Sequence, residues 1–190
     1  MTEAAPDSGP DPRLAAARQR LWDRLEALGI ATRTVDHPPV FTVAESQAMR
    51  GSLPGGHCKS LFLRDKKGRQ FLVVALEDRP VDLKALRGAL GAGNLSFASA
   101  ERLMATLGVA PGSVTPFGLI NADPHSGLVV ALDRGMLDHD PLNYHPLSND
   151  ATTAIAPGDL VRFVRACGFE PLAVDLAADP PRPVPLPAPD

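Results

Sequence analysis

The stretch from His57 to Arg69, HCKSLFLRDKKGR, followed at once by QFLVVAL, leaves this chain the fewest choices of fold. It reads as a strand that runs into a tight, basic turn at Asp65-Lys66-Lys67-Gly68 and returns as an apolar strand over Gln70–Leu76. Strand alternation points Cys58, Ser60 and Phe62 to one face and Lys59, Leu61 and Leu63 to the other. Lys59 is thus in phase with two leucines. Either its stem lies on them while the ammonium reaches water, or the cation stands at the rim of a pocket and meets a polar or anionic substrate. The hairpin alone leaves both readings open.

The flanking segments supply helices. From Pro12 to Leu28, the residues Leu14, Ala17, Leu21, Leu25 and Leu28 form one stripe, Arg13, Arg20 and Arg24 lie off it, and Gly29 ends the turn. A short strand over Ala31–Val35 stops at His37-Pro38-Pro39, and a second helix is expected over Val43–Met49. Beyond the hairpin, Asp82 caps a helix over Leu83–Leu90 and Ser99 caps another over Ala100–Leu107, with Gly91 and Gly108 at their ends. Leu95–Ala98 is a brief extended piece between them. Gly108–Asn121 reads as a loop leading into a strand that pairs with Leu128–Leu132, and residues 133–150 as irregular and polar. A strand over Thr152–Ile155, a helix capped by Asp159 and running to Cys167, and a last strand over Phe169–Val174 complete the expected body. Strands and helices interleave without a strict βαβ rhythm. The expectation is a single α+β domain over 12–176 with a mixed, largely antiparallel central sheet surrounded by helices. Residues 1–11 and the proline-dominated 177–190 are expected to be disordered tails.

Composition enters mainly through what it excludes. The chain has 190 residues, no apolar run near the roughly 18 residues of a membrane span, and no apolar signal segment. Its two cysteines, Cys58 and Cys167, make neither a disulfide framework nor a metal cluster, so a reduced, cytoplasmic setting is the expectation. The formal charge is −3, but residues 1–11 carry −3 and residues 175–190 carry −2, which leaves +2 for residues 12–174. A mildly basic body permits local contact with phosphates without requiring it.

The usual catalytic signatures are absent: no GxSxG, no phosphate loop, no HExxH, no CxxC. His139 and His145 with Asp138 and Asp140 match no common metal-ligand spacing and read as a polar surface loop. Cys58 neighbours a lysine but points to the opposite face, which favours a structural thiol. What remains are gripping features. Gly112-Ser113-Val114-Thr115-Pro116 is a loop of little side-chain bulk whose amides can approach a carbonyl or phosphate. It reads equally well as an ordinary Gly/Pro turn. His145-Pro146 and Asn149 lie in a loop able to close over a cleft.

Taken together, the segments CKSLFLRDKKGRQFLVV, RPVDLKALRGALG, LSFASAERLMATLGVAPGSVTPFGLIN and HPLSNDATTAI resemble the freestanding prolyl-tRNA editing proteins of the ProX type. These are relatives of the insertion editing domain of prolyl-tRNA synthetase and of the YbaK-like aminoacyl-tRNA deacylases. The match covers most of residues 30–170 in the expected order. It implies an α+β editing domain that hydrolyses alanine wrongly esterified to proline tRNA, without cofactor or metal. It also implies functional roles for Lys59 and the GxxxP loop, here Gly112–Pro116, and a place near the aminoacyl pocket for His145. One departure is visible: family members often carry Asn after the lysine, where this chain has Ser60.

On this reading Lys59 anchors the terminal adenosine, and the amides around Gly112 hold the ester carbonyl. Ser60, Ser113, Val114, Thr115, Pro116, Phe117, Gly118, His145 and Asn149 bound the substrate. The arginine helix (Arg20, Arg24) and the basic turn (Arg64, Lys66, Lys67) are the expected phosphate contacts. The partner is tRNA(Pro) charged with alanine, with transient contact to prolyl-tRNA synthetase or an elongation factor. The same chemistry on cysteine attached to tRNA(Pro), or a non-catalytic module that binds tRNA ends or a synthetase, are the alternatives.

Overall fold

The computed structural model describes residues 11–39 and 53–187. The helix expected over Val43–Met49 lies outside the described residues, as do the first ten residues and 188–190 of the tails.

Strands β2 (Gly56–Arg64) and β3 (Gln70–Leu76) form the expected antiparallel hairpin, with Cys58 opposite Leu76 and Arg64 opposite Gln70. Its turn is built on Asp65, whose carboxylate accepts the N–H groups of Lys67 (2.9 Å) and Arg69 (3.1 Å) and the Arg69 Nε–H (2.9 Å). Gly68 takes φ +83°, a left-handed conformation that costs glycine little. Strand β3 is buried on both sides, which is why its sequence is continuously apolar. Leu72 and Val74 join Phe62 in one core; Phe71, Val73 and Ala75 join Leu63 in another.

The remaining elements dress these two faces. Helix α1 (Pro12–Ala27), capped by the Asp11 carboxylate, lays Ala17, Leu21 and Leu25 on the first core. Helices α3 (Ala100–Leu107) and α4 (Pro157–Ala166) cover the same face through Leu103, Leu107, Leu160, Phe163 and Val164. Helix α2 (Leu83–Ala89), capped by Asp82, covers the opposite face with Leu86 and Ala89. Strands β1 (Thr32–Asp36), β4 (Ser96–Phe97), β5 (Val129–Asp133), β6 (Leu142–Tyr144), β7 (Ala151–Ile155), β8 (Leu172–Asp175) and β9 (Arg182–Val184) complete a nine-stranded sheet in the order β1-β7-β6-β2-β3-β5-β8-β9. The short β4 pairs with β2 off that path. The pairs β2–β6, β3–β5 and β5–β8 are parallel and the rest antiparallel, so the α+β class with a mixed sheet holds.

Four local expectations are corrected. Pro116–Asn121 is a 3₁₀-helix, not a strand paired with β5, because Thr115 caps it and Pro116 occupies its first turn. Helix α4 starts at Pro157 with no side-chain cap; Asp159 sits in the first turn and pairs with Arg162. Residues 133–150 are not simply a polar loop: a 3₁₀-helix (Arg134–Asp138) and β6 bury Met136, Leu137, Leu142 and Tyr144. The proline-rich tail contributes β9, paired antiparallel with β8, so the sheet passes residue 176. Pro183 is tolerated there because β9 is an edge strand.

Candidate functional site

The register of the hairpin settles which way Lys59 and Ser60 face. Lys59 lies opposite Ala75 and Ser60 opposite Val74, and cross-strand partners share a face. Ala75 belongs to the core under α2 and Val74 to the core under α1, α3 and α4. Lys59 therefore projects to the α2 side and Ser60 to the other. The Lys59 ammonium donates to the carbonyls of Glu77 (2.9 Å) and Arg79 (2.5 Å), which close the turn after β3. Partial burial pulls its pKa below the usual lysine value, against the opposing pull of the Asp78 charge. Arg79 is itself held by Asp133 (Nε–Oδ2 3.3 Å), whose side chain is 1% exposed.

The Gly112–Gly118 segment lies on the Ser60 side, where Val114 and Phe117 pack into the first core. Gly112 takes φ +86° and is exposed at the loop's apex. Ser113 is not available as an amide donor, because its N–H is taken by the Ala110 carbonyl at 3.0 Å. The N–H groups of Gly112 and Val114 meet no acceptor among the described residues. The buried Thr115 hydroxyl accepts the Phe117 N–H (3.3 Å), and the Thr115 carbonyl accepts the Gly118 N–H (3.1 Å). Pro116, Phe117 and Gly118 are buried beneath the loop and shape its floor. A side chain at Gly118 would press on Leu107, 3.0 Å from its Cβ, so helix α3 and the loop pack at glycine distance.

Phe117 links this loop to the His145 segment. Its ring meets Tyr144 edge to face, with centroids 5.9 Å apart, and Phe163 likewise at 5.5 Å. Burial, with Cys58 beside it, pushes the Tyr144 phenol well above its ordinary pKa; its hydroxyl donates to Met136 Sδ at 3.2 Å. His145, half-buried, bonds the Ala151 carbonyl through Nδ1 (3.2 Å), and its ring lies 6.5 Å from that of His37. Leu147 has φ +72°, a left-handed backbone that a leucine adopts only under constraint. Leu147 is buried in the first core, its N–H is bonded to the His145 carbonyl (3.0 Å), and Arg18 holds the residues on either side of it. From α1 Arg18 donates to the Pro146 carbonyl (2.9 Å), Ser148 Oγ and Asp150 Oδ1. Nothing in the periodicity of α1 singles out Arg18, and the sequence reading missed it. Asn149 sits half-buried within this clamped loop.

The expected phosphate contacts divide. Arg20 is tied to Asn121 (2.8 Å) and Arg24 to the Ala166 carbonyl (2.8 Å), so both fasten α1 to its neighbours while remaining exposed. Lys66 and Lys67 are exposed at the hairpin tip, and Arg64 is half-buried beside them. Two cavities, about 380 Å³ beside β1 and β7 and about 390 Å³ at the start of α4, are lined by none of the residues Lys59, Ser60, 112–118 or His145. Among the described residues no three His, Cys, Asp or Glu side chains are grouped to hold a metal. Burial pushes the Cys167 thiol up to about 11, only partly offset by Arg24. Cys58 points away from Lys59, as the alternation implied.

The arrangement therefore offers small-residue amides, a clamped loop and a lysine on one short stretch of β2. Known proteins resemble the chain in sequence and fold. Residues 37–163 match the family model of the aminoacyl-tRNA editing domain. The prolyl-tRNA editing protein ProX of Acetoanaerobium sticklandii is 37% identical over 161 residues, covering 84% of this chain and 98% of that protein. The prolyl-tRNA synthetase associated domain-containing protein 1 of Mus musculus is 39% identical over 163 residues, covering 83% and 95%. A crystal structure of a candidate trans-editing enzyme for prolyl-tRNA synthetase superposes with TM-score 0.65 at 23% identity, covering 86% of this chain and 96% of the other. The chain belongs to the aminoacyl-tRNA editing domain family.

Proposed function

We propose that this protein is a trans-editing deacylase that hydrolyses alanyl-tRNA(Pro). The observation that carries the reading is the Phe117–Tyr144 contact. Through it the Gly112–Pro116 loop and the His145–Asn149 loop are seated on the face of the sheet to which Ser60 points. The similarity to a prolyl-tRNA editing protein over nearly its whole length supports the choice of tRNA.

An aminoacyl ester is already activated, so neither a metal nor a covalent nucleophile is required. Water adds to the ester carbonyl, the C–O bond to the ribose breaks, and alanine leaves with the tRNA hydroxyl restored. The amides of Gly112 and Val114 stabilise the developing oxyanion, an effect worth about 3–4 kcal/mol per donor in other enzymes. The terminal ribose hydroxyl orients the water. Lys59 anchors the terminal nucleotide from the far side of β2 and does not act as a base. Two of its three ammonium protons go to carbonyls, and the third serves a phosphate or ribose oxygen.

Specificity follows from size. A synthetic site built for proline rejects alanine by only about 1–3 kcal/mol per missing methylene, and a smaller second pocket that admits alanine and bars proline supplies the rest. Lys66, Lys67 and Arg64 serve the tRNA backbone. Deacylation of tRNA(Pro) charged in turn with Ala, Cys, Ser and Pro tests the reading: alanine is released fastest and proline is spared. Faster release of cysteine would replace the substrate, and no release of any would leave a binding module. A thiol mechanism through Cys58 predicts inactivity of Cys58→Ala; the present reading predicts that it stays active.

A further inference from the structure

Among the described residues, the outer edge of β2 carries a gap between its two short partner strands. Even-numbered residues of β2 direct their backbone groups away from β3: the Gly56 N–H goes to the Pro141 carbonyl (2.8 Å) and the Phe62 carbonyl accepts the Ala98 N–H (3.0 Å). Odd-numbered residues serve β3, as the bond from the Glu77 N–H to the His57 carbonyl (2.9 Å) shows. On the outer edge β6 pairs only with Gly56 and His57, and β4 only with Leu63 and Arg64. Ser60 lies between them. Its N–H and C=O point into a notch where, among the described residues, no strand lies opposite and neither group has a partner.

We propose that this notch binds the aminoacyl group by its main chain, as a one-residue strand pair with Ser60. This rests on the deacylase reading. An aminoacyl ester carries an ammonium and a carbonyl on either side of one Cα, the same donor–acceptor spacing as a strand residue. The α-ammonium donates to the Ser60 carbonyl, and the Ser60 N–H donates to the ester carbonyl oxygen, orienting and polarising it. A residue paired opposite Ser60 sends its side chain to the Ser60 face. That is the face on which Val114, Phe117 and Tyr144 pack, so the size sieve is placed there while the ester stays at the sheet edge. The contact uses backbone atoms alone, so it is indifferent to whether Ser or Asn occupies position 60.

Two measurements test the pairing. Wild-type protein is given alanyl-tRNA(Pro) and its N-acetyl derivative, which lacks the ammonium. The acetylated substrate is expected to lose roughly ten-fold or more in kcat/KM, the scale of one charge-assisted hydrogen bond. Ser60→Pro removes the outward N–H together with the side-chain hydroxyl and costs no bond to β3, because the Ser60–Val74 pair makes no ladder bond. It is expected to lose roughly ten-fold or more in kcat/KM with an unfolding midpoint within a few degrees of wild type. Equal cleavage of the two substrates, or full activity in folded Ser60→Pro, would overturn the proposal. If Ser60→Pro fails to fold, the acetylated substrate decides. If the wild type prefers another aminoacyl group, the alanine assignment falls, and both measurements on that group still decide the pairing.

Discussion

Phe117 and Tyr144 meet edge to face, ring planes at 84°, and this contact joins two loops that are 25 or more residues apart in the chain. Phe117 has no exposed surface and also touches Phe163, so it is the keystone of that face. Phe117→Ala is expected to cost about 3–5 kcal/mol, the usual range for a fully buried phenylalanine. Urea unfolding reads this directly; a cost below about 1 kcal/mol would show that the loops are held by something else.

Arg18 spends its guanidinium on the 146–150 loop. Its side chain is 25% exposed and that of Asp150 43%, so charge attraction alone contributes little. The geometry matters more, because Leu147 is held in a left-handed conformation beside it. Arg18→Ala is expected to cost about 1–2 kcal/mol and to reduce the preference for alanyl over prolyl ester several-fold. Unchanged selectivity in this variant would remove Arg18 from the pocket's supporting structure.

Asp65 gives a pH prediction. Burial raises its carboxyl pKa, but the Arg69 guanidinium and the N–H groups of Gly93, Arg69 and Lys67 outweigh this and hold it below the ordinary 3.8. The folded state therefore binds its proton less readily than the unfolded chain. Its stabilisation is fully present above pH 3.8 and is lost as pH falls through the depressed folded value. Asp65→Asn is expected to be less stable than wild type at pH 7, with the gap narrowing below pH 3.8. A gap that widens on acidification would contradict the sign.

Lys59→Ala leaves the Glu77 and Arg79 carbonyls to water at a half-buried turn, a cost of about 1–2 kcal/mol. Deacylation is expected to be abolished while circular dichroism is unchanged. Near-normal turnover would dismiss the anchor.

Lys66 and Lys67 are exposed at the hairpin tip. If both contact phosphates, Lys66→Ala/Lys67→Ala lowers the slope of log affinity against log salt by about 0.7–0.9 per lost contact. Measuring tRNA binding across a salt series checks this, and an unaltered slope places the tRNA elsewhere.

The helices and the hairpin were legible because each carries its own local signals. Asp82 and Ser99 cap as their chemistry requires, Gly108 closes α3 in the left-handed conformation, and Asp65 makes the turn. Misreadings fell where local signals compete. Apolar FGLIN after Thr115-Pro116 fits a strand by composition, but the cap and the proline start a 3₁₀-helix. A proline-dominated tail looked unfit for a sheet, yet an edge strand needs few N–H donors.

The sequence by itself determined the α+β class, the phase of β2 and the residues from which the site is drawn, because alternation, capping and turn chemistry act over a few residues. Only the tertiary structure decided that Lys59 and the Gly112–Pro116 loop lie on opposite sides of the sheet and that Arg18 clamps the 145–150 loop. It alone shows that Ser60 sits at a gap between β6 and β4. These depend on which strands pair and which helices cover each face, and residues a hundred positions apart decide that through packing.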